Sequence, residues 1–306
     1  LVAILPDLSG TLVADLSFAF EVRQSGIDIV SVDVSSQPGE LLMGEDLIEI
    51  GANSLLVEYD IERDVLFVDA REIDTEFALG SLELQLDQVT NLLEDPLAEP
   101  HAISLDAEAL QLDFTPYFSD IWQIQNVRAE ALVDLRRRQM DVLDMTAFVD
   151  GAQAYAQGRM YLPDDNALPD DLPFGISMTA TVDGAFTPET VLKFWPVTLG
   201  ADARLWVEEN VREGDFSEAQ FRMDLAPDEL RDDRLDDEDL QLDFVFENAV
   251  TSFLEDLPSV NRGRGSARLN GNSFSLDLES GEFSNWTLTA GKVSIPQFKP
   301  KGENFY

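Results

Sequence analysis

Over residues 12–22 every second residue is apolar: Leu12, Ala14, Leu16, Phe18, Phe20 and Val22 alternate with positions that include Asp15, Ser17 and Glu21. Successive side chains of an extended backbone point to opposite sides, so this order separates an oily side from a wet one only in a strand. A helix would scatter the same residues around its circumference. The alternation returns at Leu55, Val57, Tyr59 and Ile61, at Leu82, Leu84 and Leu86, and from Val127 through Ala129, Ala131 and Val133 to Leu135. The later half repeats it over 176–182, 219–225, 240–246, 274–278 and 286–290, then at Val293 and Ile295. Such a chain is committed to sheet, and to a sheet with one apolar face.

Turn signals separate the runs: QSG at 24–26, QPGE at 37–40, LNGNS at 269–273 and ESGEFSN at 279–285. Short turns make sequence neighbours antiparallel neighbours, and long strands in sequence order fit a continuing sheet better than a Greek key. Where the alternation slips by one, between Ile29 and Val30 or between Ala109 and Leu110, a β-bulge keeps the apolar side facing one way. One stretch, KFWPVTLGADARLWVEEN at 193–210, breaks the rhythm. Thr187 can cap and Pro188 begin a short helix that ends at Trp195-Pro196. After Gly200 a second helix carries Ala203, Trp206, Val207 and Val211 on one side, and Gly214 is placed to end it. Two short helices cannot cover a sheet of a dozen or so strands, so most of the oily face needs another cover.

Sixty acidic residues against twenty basic ones give a net charge of −40. That surface repels phosphate backbones, which argues against nucleic acid as a partner, and it suits solubility in a salty medium. The absence of cysteine removes disulfide and thiolate chemistry without fixing a compartment. No stretch approaches the ~20 apolar residues of a spanning helix. The opening LVAILPDLSG lacks the basic start of a signal peptide, and the chain reads as a piece of a longer polypeptide.

Motifs of catalysis are missing. His101 follows Pro100 in what reads as a surface loop, and one histidine cannot build the usual zinc sets. No serine lies in a G-x-S-x-G turn, and Arg268 stands where RGRGSARLNG would need the third glycine of a dinucleotide fingerprint. RDDRLDDEDLQLD at 231–243 lacks the glycine and spacing of an EF-hand and reads as a solvated acidic turn. YLPDDNALPDDLPF at 161–174 reads as a stiff connector. The expectation is a protein that is not an enzyme and holds no metal or cofactor.

The segment FWPVTLGADARLWVEENVREGDFSEAQFRMDL, 194–225, resembles a block of the AsmA-like family of YhdP and TamB type. A Trp-Pro, here Trp195-Pro196, precedes an Ala-Arg-x-Trp-Val helix, here 203–207, and an Asn-Val-x-x-Gly turn into a strand, here 210–214. Residues 254–298 are similar to that family's following repeat, with a Leu-Pro entry, a Gly-led strand, a hairpin and an Ile-Pro ending. The resemblance is specific over 183–298, while 1–160 shares the strand-and-glycine rhythm.

The resemblance implies a mostly β fold: a long, curved, largely antiparallel sheet forming an open groove, with a short helical pair near 188–212. It divides the chain into β-groove repeats over 1–160, a Pro/Asp-rich connector and strand over 161–182, and an AsmA-like block over 183–306. It further implies a periplasmic protein of the bacterial envelope, anchored to the inner membrane by a segment outside this chain. Its partners would be membranes and phospholipid acyl chains, carried in the groove while head groups stay wet. The groove floor is then expected at Leu16, Phe18 and Phe20, at Val57 and Tyr59, at Leu84, and at Val133 and Met178. It continues at Phe221, Met223, Leu242, Phe244 and Phe246, then at Phe274, Leu276 and Leu288, with Trp195 and Trp206 of the helical pair as a gate. The strongly acidic outer face is not part of the family pattern. The alternation alone equally fits a structural or adhesive β-module, a closed sandwich or solenoid wall whose oily faces meet with no lipid between them.

Overall fold

The computed structural model describes residues 8–11, 13–23, 26–43, 46–115, 118–162, 174–197, 201–227, 236–252 and 258–297. Two compact units divide the chain, the first made of residues 1–114, 121–137 and 143–147, the second of 115–120, 138–142 and 148–306. The first holds β1 (Leu8–Gly10), β2 (Ala14–Arg23), β3 (Gly26–Ser36), β4 (Gly39–Met43), β5 (Asp46–Ile50), β6 (Asn53–Asp60), β7 (Val65–Asp74) and β8 (Ala78–Asp87). Helix α1 (Val89–Glu94), β9 (His101–Leu112) and β10 (Trp122–Asp134) complete it, and β11 (Gln139–Val149) contributes residues to both units. The second holds β12 (Ala152–Tyr161), β13 (Gly175–Asp183), α2 (Pro188–Phe194), α3 (Ala201–Asn210), β14 (Val211–Leu225), β15 (Leu240–Thr251), β16 (Val260–Asn270), β17 (Phe274–Phe283), β18 (Trp286–Leu288) and β19 (Gly291–Ile295).

One antiparallel sheet of sixteen strands takes in β2, β3 and β6 to β18 in order of sequence, with β19 also paired to β17. Its end strands do not pair with each other, so the sheet is open, mostly β as the alternation requires. The one skip arises because β4 and β5 leave to form a small sheet with β1, which lets β6 pair directly with β3.

Bulges hold the apolar residues to one face. Glu21 pairs with Ile29 but Val22 pairs with Ile27, so the extra residue is Asp28, one place before the expected slip, and it is buried. In β9 the slip near Ala109 is a bulge, since Gly80 pairs with Leu110 while Glu83 pairs with Asp106. Left-handed residues at Glu218 (φ 53°), Asn248 (φ 55°) and Arg262 (φ 48°) accompany register shifts in β14, β15 and β16, and such bulges bend each strand and raise its twist.

Three sequence expectations need correction or lie outside view. His101 is not in a surface loop: it is buried, opens β9 opposite Val133, and its Nε2 lies 3.1 Å from the Pro96 carbonyl oxygen. Gly214 does not end the second helix, because β14 starts at Val211 directly after Asn210, whose side-chain Nδ2 donates to the Trp206 carbonyl at 2.8 Å across the last turn. Residues 163–173 of the connector, 228–235 of the acidic run, 253–257 before the Leu-Pro entry, Gln24-Ser25, Gly200 and the chain's first seven residues lie outside the described residues.

The wet face carries cross-strand ion pairs. Arg71 donates to Asp33 and Asp69, each at 3.1 Å, and Arg128 to Asp106 at 2.9 Å. In the second unit Arg159 pairs with Asp141, Arg268 with Asp243, and Arg262 with Glu282. These arginines are exposed, so each pair is worth about 0–1 kcal/mol; they suppress repulsion between neighbouring carboxylates rather than hold the fold.

Candidate functional site

Register carries the apolar side of each strand of the first unit into unbroken rows across the sheet. Phe18 pairs with Val32, Val32 with Val57, Val57 with Val68, Val68 with Leu84, Leu84 with Leu105, and Leu105 with Ala129. A second row runs Phe20, Val30, Tyr59, Leu66, Leu86, Ile103 and Ala131, and a third runs Leu16, Val34, Leu55, Ala70 and Leu82. Seven strands at ~4.8 Å spacing make such a row about 29 Å long, close to twice the ~15 Å that one leaflet's hydrocarbon occupies in a bilayer.

These rows are not sealed. Every member of the Phe18 row is half-buried or exposed, and Leu16, Phe18 and Phe20 are 59%, 61% and 57% exposed. Among the described residues of this unit the only helix is the six-residue α1, and the buried apolar residues are Ala70, Leu86, Val89, Ala107, Val127 and Ala147. Solitary exposed apolar residues are ordinary, but a contiguous apolar surface on this scale marks a place where something apolar binds.

Beside Tyr59 of the second row, at the β6–β7 turn, the apolar surface meets polar groups. The Tyr59 hydroxyl donates to Asp64 at 2.8 Å, and Asp64 also accepts from the Thr90 amide at 2.9 Å and the Thr90 hydroxyl at 2.7 Å. The Thr90 hydroxyl, helped by the Thr90 amide and Tyr59, outweighs burial and holds the Asp64 carboxyl below its ordinary value. Contact with Thr90 lowers the Tyr59 value, but the bond to Asp64, burial and the carboxylate charge together raise it. Gln88 starts α1 in a left-handed conformation without capping it, so Asp64 from the β6–β7 turn supplies the cap.

In the second unit the equivalent face is covered. Ala180, Phe221, Leu242, Leu269, Phe274 and Ile295 form one row, and Phe244, Ala267, Leu276 and Val293 the next. Helices α2 and α3 lie over them: Val191, Trp195, Trp206 and Val207 face Leu242, Phe244, Phe274 and Leu276 across a cavity of about 80 Å³. Trp206 tilts against Phe274 with ring centroids 6.3 Å apart, and Phe216 packs on Phe244 at 5.0 Å. Phe246 is buried and lies over β16, where a Cβ at Gly265 would come within 3.0 Å of its ring and 2.1 Å of the Asp277 carbonyl oxygen.

Polar ties hold the helices down. Thr187 caps α2 by accepting from the Thr190 amide at 3.3 Å, as its place before Pro188 predicts. Arg204 of α3, 13% exposed, donates to the Leu192 and Trp195 carbonyls at 3.3 and 3.4 Å, to the Ser119 hydroxyl at 3.0 Å and to Glu208 at 3.3 Å. Lys193 of α2 pairs with Asp150 in the β11–β12 turn at 3.2 Å.

Of the residues expected on the floor, the first rows gather Leu16, Phe18, Phe20, Val57, Tyr59 and Leu84, while Val133 stands beside them opposite His101. Met178 and Met223 pair with each other, and Phe221, Leu242, Phe244, Phe246, Phe274 and Leu276 share the covered face with Trp195 and Trp206 above it. Leu288 is apart from these rows, half-buried on β18 opposite Gly281. Sequence reasoning missed Val32, Val68 and Leu105, although the alternating Val30, Val32 and Val34 carried the signal; paired apolar residues such as Leu66-Phe67 blurred it elsewhere.

Among the described residues no group of His, Cys, Asp and Glu is arranged to hold a metal ion, and no helix is long and apolar enough to cross a membrane. A family model described as YhdP protein matches residues 89–305, reaching well before the 183–298 stretch that carries the sequence motifs. No curated protein and no solved structure matches the chain. With more than half of its 306 residues matched, the chain belongs to the YhdP family.

Proposed function

We propose that this chain carries phospholipids between the membranes of the bacterial envelope, their acyl chains lying on the apolar face and their head groups in water. It works in the periplasm, held to the inner membrane by a segment outside this sequence. The observation that carries the reading is the set of apolar rows across β2 to β10, whose edge members Leu16, Phe18 and Phe20 stay more than half exposed. Family membership supports it. Hydrocarbon moving from a bilayer onto Leu, Val and Phe exchanges one oily medium for another, so net affinity is small, which suits transfer rather than storage.

The covered face of the second unit favours a second reading, a structural module without lipid. Extraction of the purified protein followed by lipid mass spectrometry separates the two. The transport reading expects co-purifying phospholipid that falls severalfold in Phe18→Asp; a lipid-free preparation, or an unchanged yield in that variant, leaves the structural module standing.

A further inference from the structure

The sheet of the second unit is complete without its helices. β13 pairs directly with β14 from Ile176–Leu225 to Val182–Ala219, and α2 and α3 are an excursion between those two strands, joined to the ladder by the Phe186–Phe216 bridge at one end and by the Ser252 amide donating to the Asn210 carbonyl at the other. What the helices bury is apolar on both sides, and the fit leaves about 80 Å³ unfilled. An acyl chain admitted between helices and sheet offers each of these faces the same chemistry that they offer each other, so apolar burial changes little while Val191, Trp195, Trp206 and Val207 stay against it. The balance then turns on polar ties that hydrocarbon cannot replace, among them the Arg204–Ser119 bond and the Lys193–Asp150 pair, while the bonds of Arg204 to the Leu192 and Trp195 carbonyls make α2 and α3 move together. Bonds from a guanidinium fork are among the stronger hydrogen bonds a protein makes.

We propose that the α2–α3 hairpin is a lid that lifts to admit an acyl chain onto β15–β17, and that Arg204 is the positioning residue that sets how often it lifts. The inference rests on the reading of the apolar face as an acyl-chain surface and adds regulation to it. Because α3 carries Trp206 while Arg204 ties α3 to α2 and to Ser119, release of this one side chain loosens the Trp206–Phe274 contact.

The test uses the absence of native cysteine. Asp150→Cys with Lys193→Cys, joined by a short reducible bismaleimide, pins α2 to the β11–β12 turn. Vesicles of phosphatidylethanolamine with a diazirine at the acyl terminus are then photolysed with the protein, and labelled peptides are mapped by mass spectrometry. Labelling of β2–β3 peptides is expected in every sample. Labelling of β15–β17 peptides is expected to fall about tenfold when linked, a shift of about 1.4 kcal/mol, and to recover on reduction. Arg204→Ala raises it severalfold, with Arg204→Lys, which keeps the charge and loses the fork, in between. Equal labelling of β15–β17 with and without the link overturns the lid, and an Arg204→Ala sample that labels as wild type overturns the role of Arg204. Absence of label on β2–β3 as well overturns the acyl-chain reading on which both depend.

Discussion

Leu84→Asp places a carboxyl group inside the Phe18 row, between Val68 on one side and Leu105 on the other. In the free protein Leu84 is only half-buried, so the new carboxylate keeps part of its water and the fold survives. In the loaded protein an acyl chain covers it, and burying the ion is so costly that the group takes a proton instead. That sets a ceiling on the penalty of about 1.4 kcal/mol for every pH unit above the ordinary aspartate value of ~3.9. Lipid binding is therefore expected to fall about 10³-fold at pH 7 but only about tenfold at pH 5, on top of the pH-independent loss measured for the neutral isostere Leu84→Asn. Gln85→Glu, one residue along and on the opposite face between Phe67 and Ser104, introduces the same charge and is expected to change little. The assay is uptake of a fluorescent acyl-labelled phospholipid from zwitterionic vesicles at pH 5, 6 and 7. A loss in Leu84→Asp that ignores pH, or one matched by Gln85→Glu, refutes the idea that hydrocarbon lies against this row.

Phe246→Ala empties a buried site over Gly263 and Gly265 and is expected to destabilise the second unit by about 3–5 kcal/mol in urea unfolding, and Gly265→Ala also destabilises because its Cβ meets the Asp277 carbonyl. Thr187→Ala removes the α2 cap and costs about 1 kcal/mol, visible as faster amide exchange at Thr190 with β15–β17 unchanged. Asp64 has a folded value below its unfolded one, so its contribution to holding α1 is present above the ordinary carboxylate range and is lost as pH falls through the depressed value. The protection of the Thr90 amide relative to its intrinsic exchange rate should thus fall on acidification in the wild type, and should be low at every pH in Asp64→Ala.

Strands were legible wherever one face is oily and the other polar, because a period of two needs no tertiary information; 14–22 and 219–225 are examples. The helical pair was legible for the same reason, since Thr187-Pro188 and Trp195-Pro196 encode its start and break locally. What escaped depends on partners distant in sequence. Asp28 becomes the bulged residue only because Glu21 and Val22 lie opposite, and β4 and β5 leave the main sheet to pair with each other, with β1 added on β4. His101 looked like a loop residue beside Pro100, yet strand pairing with Val133 turns it inward. The floor residues were nameable one strand at a time, whereas their alignment into rows is a property of register, which no single strand records.

Every strand from β7 to β17 has its sequence neighbours as its sheet neighbours. Contacts in such a ladder close over short spans of chain, so pairing can start at any hairpin and spread, and a ribosome can release the sheet in the order in which it assembles. The same architecture makes length a free variable for evolution. A hairpin gained or lost changes two seams and leaves all others as they were, so a sheet of this kind can be lengthened or shortened without being redesigned.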